Sequence, residues 1–363
     1  MKKLNENIRF IILILIMFCG LFYLIPSNTI NSQNLQDYTS DLEIKSAGYW
    51  TNFSYIHITN LNWSTAASYD WCTGDGSWDT PYVLENFVIN ASTSPIGCGI
   101  LIENSSVYFR IENCTIFDAY GGGSSAIRCN NVSNATIIDN NCSNNDAWGG
   151  IHFYGYLGGC NNNTISGNIV NDNLYAGIVI EGDNNLISGN TAKNNPGGNL
   201  GLLYSNHNNI TGNTVSGGAG IYLYYSDINT LTENLITNCV WGIVFDPTVS
   251  SSDGNLVYNN QFINNTIHAL DNGTNNQWNL DIGNYWDDYG GVDLDDDGIG
   301  DTPYTVGGSA GTKDYFPIWD DGDEAASDDI EGIPFGETFL IFSIIAIISL
   351  VIYSKRKRNF KFE

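Results

Sequence analysis

The residues best suited to chemistry form an acidic loop near the C-terminal end, Asp293-Leu294-Asp295-Asp296-Asp297-Gly298-Ile299-Gly300-Asp301. Alternating carboxylates around a glycine are the pattern by which oxygen ligands converge on a hard cation such as Ca²⁺. The twelfth position is Tyr304 instead of a bidentate glutamate, which excludes an EF-hand. The pattern therefore predicts a shorter calcium loop with the ligands Asp293, Asp295, Asp297 and Asp301. An acidic turn without a metal is the alternative.

A second candidate site is an outward strip of side chains that follow a recurrent pair of one small and one aliphatic residue. If Ile151 and Phe153 point inward on a strand, His152 and Tyr154 point outward. The same alternation on later repeats extends the strip, which comprises His152, Tyr154, Glu181, Tyr222, Tyr224 and Asp246. Tyrosine rings around a carboxylate can hold sugars by stacking and hydrogen bonding. Exposed tyrosines also occur on β proteins that bind no sugar.

Three carboxylates, Glu85, Glu112 and Asp139, each precede a repeated asparagine. Stacked one coil apart, they would approach the roughly 5 Å separation of the carboxyl pair in retaining glycosidases. Carboxylates on solvated turns need no such role, and the strands carry no clusters of paired aspartates. We therefore assign no catalytic residue, and we keep a polysaccharide hydrolase or lyase as the alternative function.

The elements that must position these residues are short repeats. An aliphatic phrase ending in asparagine recurs at spacings of 21 to 28 residues, at Asn86, Asn113, Asn140, Asn168, Asn190, Asn213, Asn234 and Asn259. Between these markers, apolar and polar residues alternate over short runs that end in Asn, Gly, Ser or Asp, which indicates short strands joined by turns. No helical apolar stripe is present in the repeats. The period predicts a parallel β-solenoid with one coil per repeat.

Aligning the coils on these asparagines predicts one core column, three residues earlier. That column reads Val83, Arg110, Ile137, Ile165, Ile187, Ile210, Leu231 and Leu256, with Arg110 as its one polar member. Successive coils of a solenoid lie about 4.8 Å apart, so each side chain stacks on its equivalent. Asparagine tolerates left-handed turns, so the repeated asparagines are interpreted as structural turn residues.

These coils resemble the NosD-like group of right-handed parallel β-helix proteins, which share N-x-I-x-x-N coils. Many members end in a GNYW segment followed by a DGIGDTPY segment, here Gly283–Trp286 and Asp297–Tyr304. The resemblance covers Trp71 to Pro317. It implies an all-β fold, a single-stranded right-handed parallel β-helix of about eight coils with N- and C-terminal caps, plus terminal membrane segments.

The ends of the chain carry targeting signals. A basic head precedes the apolar run Phe10–Ile25, as in a secretory signal peptide or an uncleaved anchor. The apolar run Thr338–Tyr353 is followed by Lys355–Arg358, which predicts a membrane span with a cytoplasmic C-terminus. This end also resembles the sorting tails of archaeal surface proteins, although the order Pro-Phe-Gly departs from their signature and leaves a plain anchor as the alternative.

We accordingly divide the chain into six parts. They are a signal peptide or anchor (1–30), a linker and N-terminal cap (31–70), the β-helix (71–277), a NosD-like C-terminal cap with the acidic loop (278–319), an acidic spacer (320–333) and a C-terminal transmembrane or sorting tail (334–363).

The formal net charge is −26, which repels nucleic acid and anionic membranes and favours cations and neutral ligands. We therefore expect no nucleic-acid partner and no acidic polysaccharide substrate. Many Asn-x-Ser/Thr sequons indicate a surface glycoprotein.

Seven of the eight cysteines follow the signal segment. Disulfides form outside the cell, and Cys114 with Cys142 is the first pair to test. Buried, stacked thiols are the equal alternative.

Together, these features predict a membrane-anchored protein on the extracellular face of the cell membrane. Its expected partners are surface glycans or other surface proteins, with an adhesive or structural role and calcium in the C-terminal cap. The resemblance also implies a copper-handling alternative, because the best-known NosD-like members serve copper delivery. Copper carriers generally cluster His, Met or Cys, whereas the histidines here are scattered.

Overall fold

A computed structural model describes residues 50–155, 159–245 and 252–319. These residues form a parallel β-solenoid in which each coil contributes strands to three sheets. The predicted all-β parallel β-helix is confirmed. The predicted signal, spacer and C-terminal tail lie outside the described residues, and among the described ones no helix is long and apolar enough to cross a membrane.

The strands fall into three long sheets and one hairpin. Sheet III contains β1 (Trp50–Phe53), β5 (Phe87–Asn90) and β8 (Thr115–Phe117), then β13 (Ile169–Asn171), β16 (Thr191–Lys193), β19 (Thr214–Ser216), β22 (Leu235–Thr237), β25 (Gln261–Ile263) and β27 (Tyr285–Trp286), with isolated bridges at Asn141 between the two groups. Sheet I contains β2 (Ile56–Thr59), β6 (Ile100–Glu103), β9 (Tyr120–Asn130), β11 (Asp146–Tyr154), β14 (Ala176–Ile180), β17 (Gly198–Leu203), β20 (Ala219–Tyr224), β23 (Trp241–Phe245) and β26 (Ile267–Asp271).

Sheet II begins with β3 (Cys72–Thr73), antiparallel to β4 (Tyr82–Glu85), and continues with the parallel strands β7 (Phe109–Glu112), β10 (Ala135–Ile138), β12 (Thr164–Ser166), β15 (Leu186–Ser188), β18 (Asn209–Thr211), β21 (Thr230–Thr232) and β24 (Leu256–Tyr258). The hairpin pairs β28 (Tyr304–Thr305) with β29 (Lys313–Asp314). Helix α1 (Trp63–Ala66) and a 3₁₀ turn (Ala91–Thr93) complete the elements.

Alternate residues of each strand point into the solenoid and stack from coil to coil. The core column of Sheet II is Leu84, Ile111, Ile137, Ile165, Ile187, Ile210, Leu231 and Val257, none more than 2% exposed. Burying an aliphatic side chain of this size contributes about 1.5–3 kcal/mol. Columns of this kind therefore supply the main stabilisation of the coils.

The register predicted from the repeated asparagines was wrong in three coils. Val83, Arg110 and Leu256 point outward, and the next residue of each strand fills the core. The cause is that Asn86, Asn113 and Asn259 occupy a left-handed turn position (φ 63°, 50° and 54°), one residue before the position of the other repeated asparagines. Arg110 is therefore an outward residue rather than an exception in the core.

The five other repeated asparagines, together with Asn260 and Asn284, form a buried ladder at the turn from Sheet II to Sheet III. It runs through Asn140, Asn168, Asn190, Asn213, Asn234, Asn260 and Asn284, each at most 1% exposed. The backbone N–H and the side-chain Nδ2 of each residue donate to Oδ1 of the next, at 2.9–3.1 Å. A second ladder at the turn from Sheet I to Sheet II runs through Asn163, Asn185, Asn208, Asn229, Asn255 and Asn276.

Both ladders end on a fully buried aspartate at the C-terminal cap. Asp314 Oδ2 accepts the backbone N–H of Asn284 (2.7 Å) and Nε1–H of Trp286 (3.0 Å). Asp271 accepts Nδ2–H of Asn276 (2.8 Å) and Nε1–H of Trp278 (2.9 Å). The carboxylates supply the acceptors that a further coil would otherwise provide, and the indole rings cover the last core residues.

Candidate functional site

The outer surface of Sheet I brings together three residues of the predicted outward strip. His152 and Tyr154 lie on β11, and Glu181 directly follows β14 on the next coil. The register also places Arg128 of β9 beside His152. We call this surface, with the adjoining rings of Trp148 and Tyr175, the ligand face.

A buried histidine and carboxylate form the floor of the ligand face. Nε2 of His152 lies 3.4 Å from Oε1 of Glu181, and the two residues are 4% and 8% exposed. Burial lowers the pKa of His152 although Glu181 acts in the opposite direction, so the imidazole is neutral near pH 7. The neutral ring places its proton on Nε2, because that atom faces the carboxylate.

A chain of polar contacts extends the floor toward the N-terminal coils. Nε of Arg128 donates to Oδ1 of Asn130 (2.7 Å), and Nδ2 of Asn130 donates to Glu103 (3.0 Å). Glu103 also faces Nε2 of His57 at 2.7 Å. The guanidinium carbon of Arg128 lies 5.0 Å above the centre of the Tyr154 ring, a cation–π distance.

A wall of aromatic rings borders the floor because two strands are extended. β9 and β11 have 11 and 9 residues, and a register shift between Ala147 and Gly149 marks a bulge. The facing chain includes Gly121 and Gly123 at φ 94° and 88°, which glycine adopts readily. The bulge lies beside Trp148, whose ring stacks on that of Tyr175 with centroids 4.5 Å apart.

The sequence reasoning missed Arg128, Trp148 and Tyr175. Alternation after the pair Ala126-Ile127 places Arg128 outward, so the same rule applied one coil earlier finds it. Trp148 and Tyr175 carry no such signal, because a bulge and a turn bring them into place.

The remaining residues of the predicted strip do not surround Glu181. Tyr222 and Tyr224 lie on β20, two coils beyond Glu181, where they pack with Tyr204 and Tyr225. Tyr224 is 5% exposed and is therefore a buried member of this group. The predicted strip residue Asp246 lies outside the described residues.

The acidic loop brings three of its predicted ligands together. One carboxylate oxygen each from Asp293, Asp295 and Asp297 lies within 4.8 Å of the others. The charge of Asp297, followed by desolvation and the charge of Asp301, raises the pKa of Asp295. Carboxylates that repel one another at this distance fit a divalent cation, which would neutralise them.

A histidine at the C-terminal cap also faces two carboxylates. Nε2 of His268 lies 2.8 Å from Asp287 and 3.3 Å from Asp288. Two backbone hydrogen bonds orient the Asn265 amide so that its Nδ2 points at Nδ1 of His268, at 3.2 Å. Nδ1 is therefore the acceptor and Nε2 carries the proton. With Nε2 bound to a metal, the neutral ring would carry its proton on Nδ1, which faces the N–H donor of Asn265. This group therefore fits a hydrogen-bonded clasp better than a metal centre.

The predicted column of carboxylates is not formed. Glu85 pairs with Glu112, but the next partner of Glu112 is Ile138. Asp139 lies one position later, in a left-handed turn. Glu112 is instead bound by Arg110 on its own strand. This arrangement supplies no evenly spaced carboxylates for glycosidic chemistry.

All seven cysteines in the described residues are free and buried: Cys72, Cys98, Cys114, Cys129, Cys142, Cys160 and Cys239. Cys114 and Cys142, the first pair to test for a disulfide, are both free, and the register that pairs Thr115 with Asn141 leaves them two residues from equivalence. Burial raises the pKa of Cys72 and Cys160 to about 11. It raises the pKa of Cys114 and Cys239 to about 12. The thiols therefore behave as small apolar side chains, the alternative interpretation.

Comparison with known proteins identifies one family. The family described as "Periplasmic copper-binding protein (NosD)" matches residues 82–291, more than half of the chain. A "Probable ABC transporter binding protein NosD" of Pseudomonas aeruginosa is 31% identical over 125 residues, 29% of this chain and 28% of that protein. Its counterpart from Stutzerimonas stutzeri is 29% identical over 136 residues, 32% and 30% of the two chains. The matched segments thus span less than a third of these relatives.

Two solved structures show weaker likeness. A mutant of the periplasmic alginate epimerase AlgG is 16% identical, with a TM-score of 0.42 over 52% of this chain and 47% of that chain. An alginate lyase from Paenibacillus sp. is 12% identical, with a TM-score of 0.32 over 63% and 97%. At these scores, neither likeness bears on the function of this chain.

Proposed function

The chain belongs to the NosD family, and on this premise we propose that it is an extracytoplasmic β-solenoid that binds carbohydrate on its ligand face. The observation that carries the proposal is the wall of Trp148 and Tyr175 beside the buried pair His152 and Glu181. Flat aromatic surfaces next to a few fixed polar groups suit sugars, which present apolar ring faces and hydroxyl edges.

The proposed role is adhesion or structure, with surface glycans or glycosylated surface proteins as partners. A glycosidase would need two carboxyl groups facing each other across a sugar. On the described ligand face, Glu181 is buried against a neutral histidine instead. Binding without turnover is therefore the expected behaviour.

A glycan array probed with the full chain tests this proposal. We expect binding that is lost, by at least about tenfold, in Tyr154→Ala and Glu181→Gln, because each removes a contact surface or an acceptor. The matched control is Tyr258→Ala, a tyrosine on the outer face of Sheet II. A parallel assay for new reducing ends separates the alternatives: release of ends would establish an enzyme. Equal binding by all three variants would refute the assignment to this face.

Calcium in the acidic loop is a separate proposal. The converging carboxylates of Asp293, Asp295 and Asp297 support it, and Asp301 would complete the oxygen ligands. The ion would supply positive charge that fixes the loop of the C-terminal cap. Isothermal titration calorimetry with Ca²⁺ should detect one binding site in the full chain and none in Asp295→Asn. A titration of the full chain that shows no saturable binding would exclude the proposed calcium site.

We also propose that the apolar run Thr338–Tyr353 anchors the protein in the membrane with its C-terminus in the cytoplasm. Fractionation of cells expressing the full chain, compared with a chain ending at Gly332, tests this. The full chain should sediment with membranes, whereas recovery of both chains in the soluble fraction would contradict an anchor.

Copper handling, named in the family description, is the alternative. Cu(I) prefers thiolate and thioether ligands. Burial keeps the thiols of the described residues protonated, and for this reason we favour carbohydrate. Stoichiometric Cu(I) retention by the native chain would reverse the preference.

A further inference from the structure

Three buried nitrogens on the ligand face have no hydrogen-bond partner among the described residues: Nη1 of Arg128, Nε1 of Trp148 and Nδ1 of His152. Their side chains are neighbours, since Arg128 pairs in register with His152 and the rings of Trp148 and His152 stack at 6.4 Å. An unpaired buried polar group costs about 1–3 kcal/mol. Three in one place therefore indicate a partner that binds there.

Arg128 indicates the charge of the missing partner, because an arginine in so acidic a protein is expected to be paired with a carboxylate. The cations of the described chain are Arg110, Arg128, Lys193 and Lys313. Arg110 is paired with Glu112 on its own strand. Arg128 has no carboxylate partner among the described residues, and it reaches Glu103 only through the amide of Asn130. Among the described residues of this acidic chain, no carboxylate therefore binds the guanidinium directly.

The three nitrogens define the chemistry that would satisfy them. Arg128 Nη1 and Trp148 Nε1 can only donate. His152 Nδ1 can only accept, because Nε2 of the neutral ring faces Glu181. The missing partner must therefore present acceptor oxygens to the guanidinium and the indole and a hydroxyl donor to the imidazole. An anionic oxygen would satisfy the charge of the guanidinium as well as its N–H. Guanidinium binds carboxylates with particular strength, through charge-assisted hydrogen bonds.

We infer that the ligand face selects acidic sugars, in which a carboxylate and ring hydroxyls occur on the same unit. This inference rests on the proposed carbohydrate binding and deepens it. It also opposes the expectation from net charge, that acidic polysaccharides are excluded. At contact distance, the attraction between the Arg128 guanidinium and a sugar carboxylate outweighs the repulsion from the net charge of the protein. That repulsion acts over the Debye length and is screened by salt.

The test uses pairs of oligosaccharides that differ in oxidation at C6. Cello-oligosaccharides are compared with oligoglucuronates, and α-1,4-galacto-oligosaccharides with oligogalacturonates, on the full chain by isothermal titration. We expect at least one acidic member to bind at least about tenfold tighter than its neutral partner. Arg128→Gln should abolish that preference, and added salt should reduce it. Arg110→Gln is the matched control, since its charge is already paired, and it should keep the preference.

The outcomes separate this inference from the proposed function. Neutral sugars that bind at the ligand face as tightly as their acidic partners would overturn the inference and leave carbohydrate binding in place. A preference that survives Arg128→Gln, in a variant with an unchanged thermal midpoint, would also overturn it. Binding of neither class would overturn both.

Discussion

The asparagine ladders and the ligand face treat buried polar atoms in opposite ways. In the ladders, each interior amide is paired above and below with its neighbours, as for Asn190. On the ligand face, three buried nitrogens lack partners among the described residues. Both regions lie on the same coils, so the difference does not reflect the fold. The ladders therefore contribute stability, whereas the ligand face leaves polar atoms available to the ligand proposed above.

Breaking a ladder should produce the largest effect. Asn190→Leu removes the acceptor of the Asn168 backbone N–H and the donors to Ile165 O and Asn213 Oδ1. Several buried groups would lose their partners, and we expect a loss of roughly 3–5 kcal/mol in the free energy of unfolding. Urea denaturation measures it. Asn209→Leu, at an exposed position, is the control, and equal losses in both variants would contradict a special role for the ladder.

Replacing each of the two terminal aspartates by asparagine should lower the free energy of unfolding by different amounts. Asp271 accepts two hydrogen bonds on each oxygen, so an asparagine must turn its NH₂ toward two donors. Asp314 accepts most of its bonds on Oδ2 and one on Oδ1, so an asparagine loses little. We expect Asp271→Asn to cost roughly 2–3 kcal/mol and Asp314→Asn about 1 kcal/mol. The reverse order in urea denaturation would show that hydrogen-bond count does not govern these ends.

A pair of tryptophan variants sharpens the comparison between the two regions. Trp278→Phe removes the Nε1–H that Asp271 accepts, whereas Trp148→Phe removes an N–H without a partner among the described residues. Trp278 is fully buried and Trp148 is partly exposed, so Trp278→Phe loses more buried ring area as well as a hydrogen bond. We therefore expect Trp148→Phe to be less destabilising by about 1–2 kcal/mol, with thermal unfolding as the measurement. Equal costs would mean that Nε1 of Trp148 is satisfied in solution.

The smallest expected effect is on the pH dependence of the free energy of unfolding. Burial lowers the pKa of His152 below that of the unfolded chain, so the folded state disfavours the proton. Its contribution to stability is present above the unfolded pKa of about 6.5 and decreases as the pH falls through the folded value. Glu181 and Arg128 are the charged groups that face the ring. His152→Gln should reduce the loss of stability between pH 7 and pH 5, and an unchanged slope would assign that loss to other groups.

Repeats and alternation were enough to predict the solenoid and the floor of the ligand face. His152, Tyr154 and Glu181 follow from counting along strands, because a two-residue period fixes the outward face. The register failed at Asn86, Asn113 and Asn259, since asparagine serves both as a left-handed turn residue and as a ladder residue. A sequence cannot separate these two uses one position apart.

The aromatic wall escaped prediction for a different reason. Trp148 lies at a bulge, where the strand period is broken, and Tyr175 lies on a turn. The pairing of each arginine was not predicted either, although the partner of each, Glu112 for Arg110 and Asn130 for Arg128, lies two residues along the same strand. Thus the residues that follow strand periodicity, Arg128 among them, could be predicted, and the aromatic wall could not.

The direction of the asparagine ladders bears on how such a protein can change length. The backbone N–H of each ladder asparagine donates to the asparagine of the following coil, and its Nδ2 donates both to that asparagine and to a carbonyl of the preceding coil. A complete coil inserted between two others therefore receives and passes on the same hydrogen bonds. Only the C-terminal end needs a different residue, and there Asp271 and Asp314 accept the last donors. Duplication or loss of whole coils is therefore compatible with the fold as long as the two aspartates remain. A longer or shorter solenoid of this kind would need the same two acceptors at its C-terminal end.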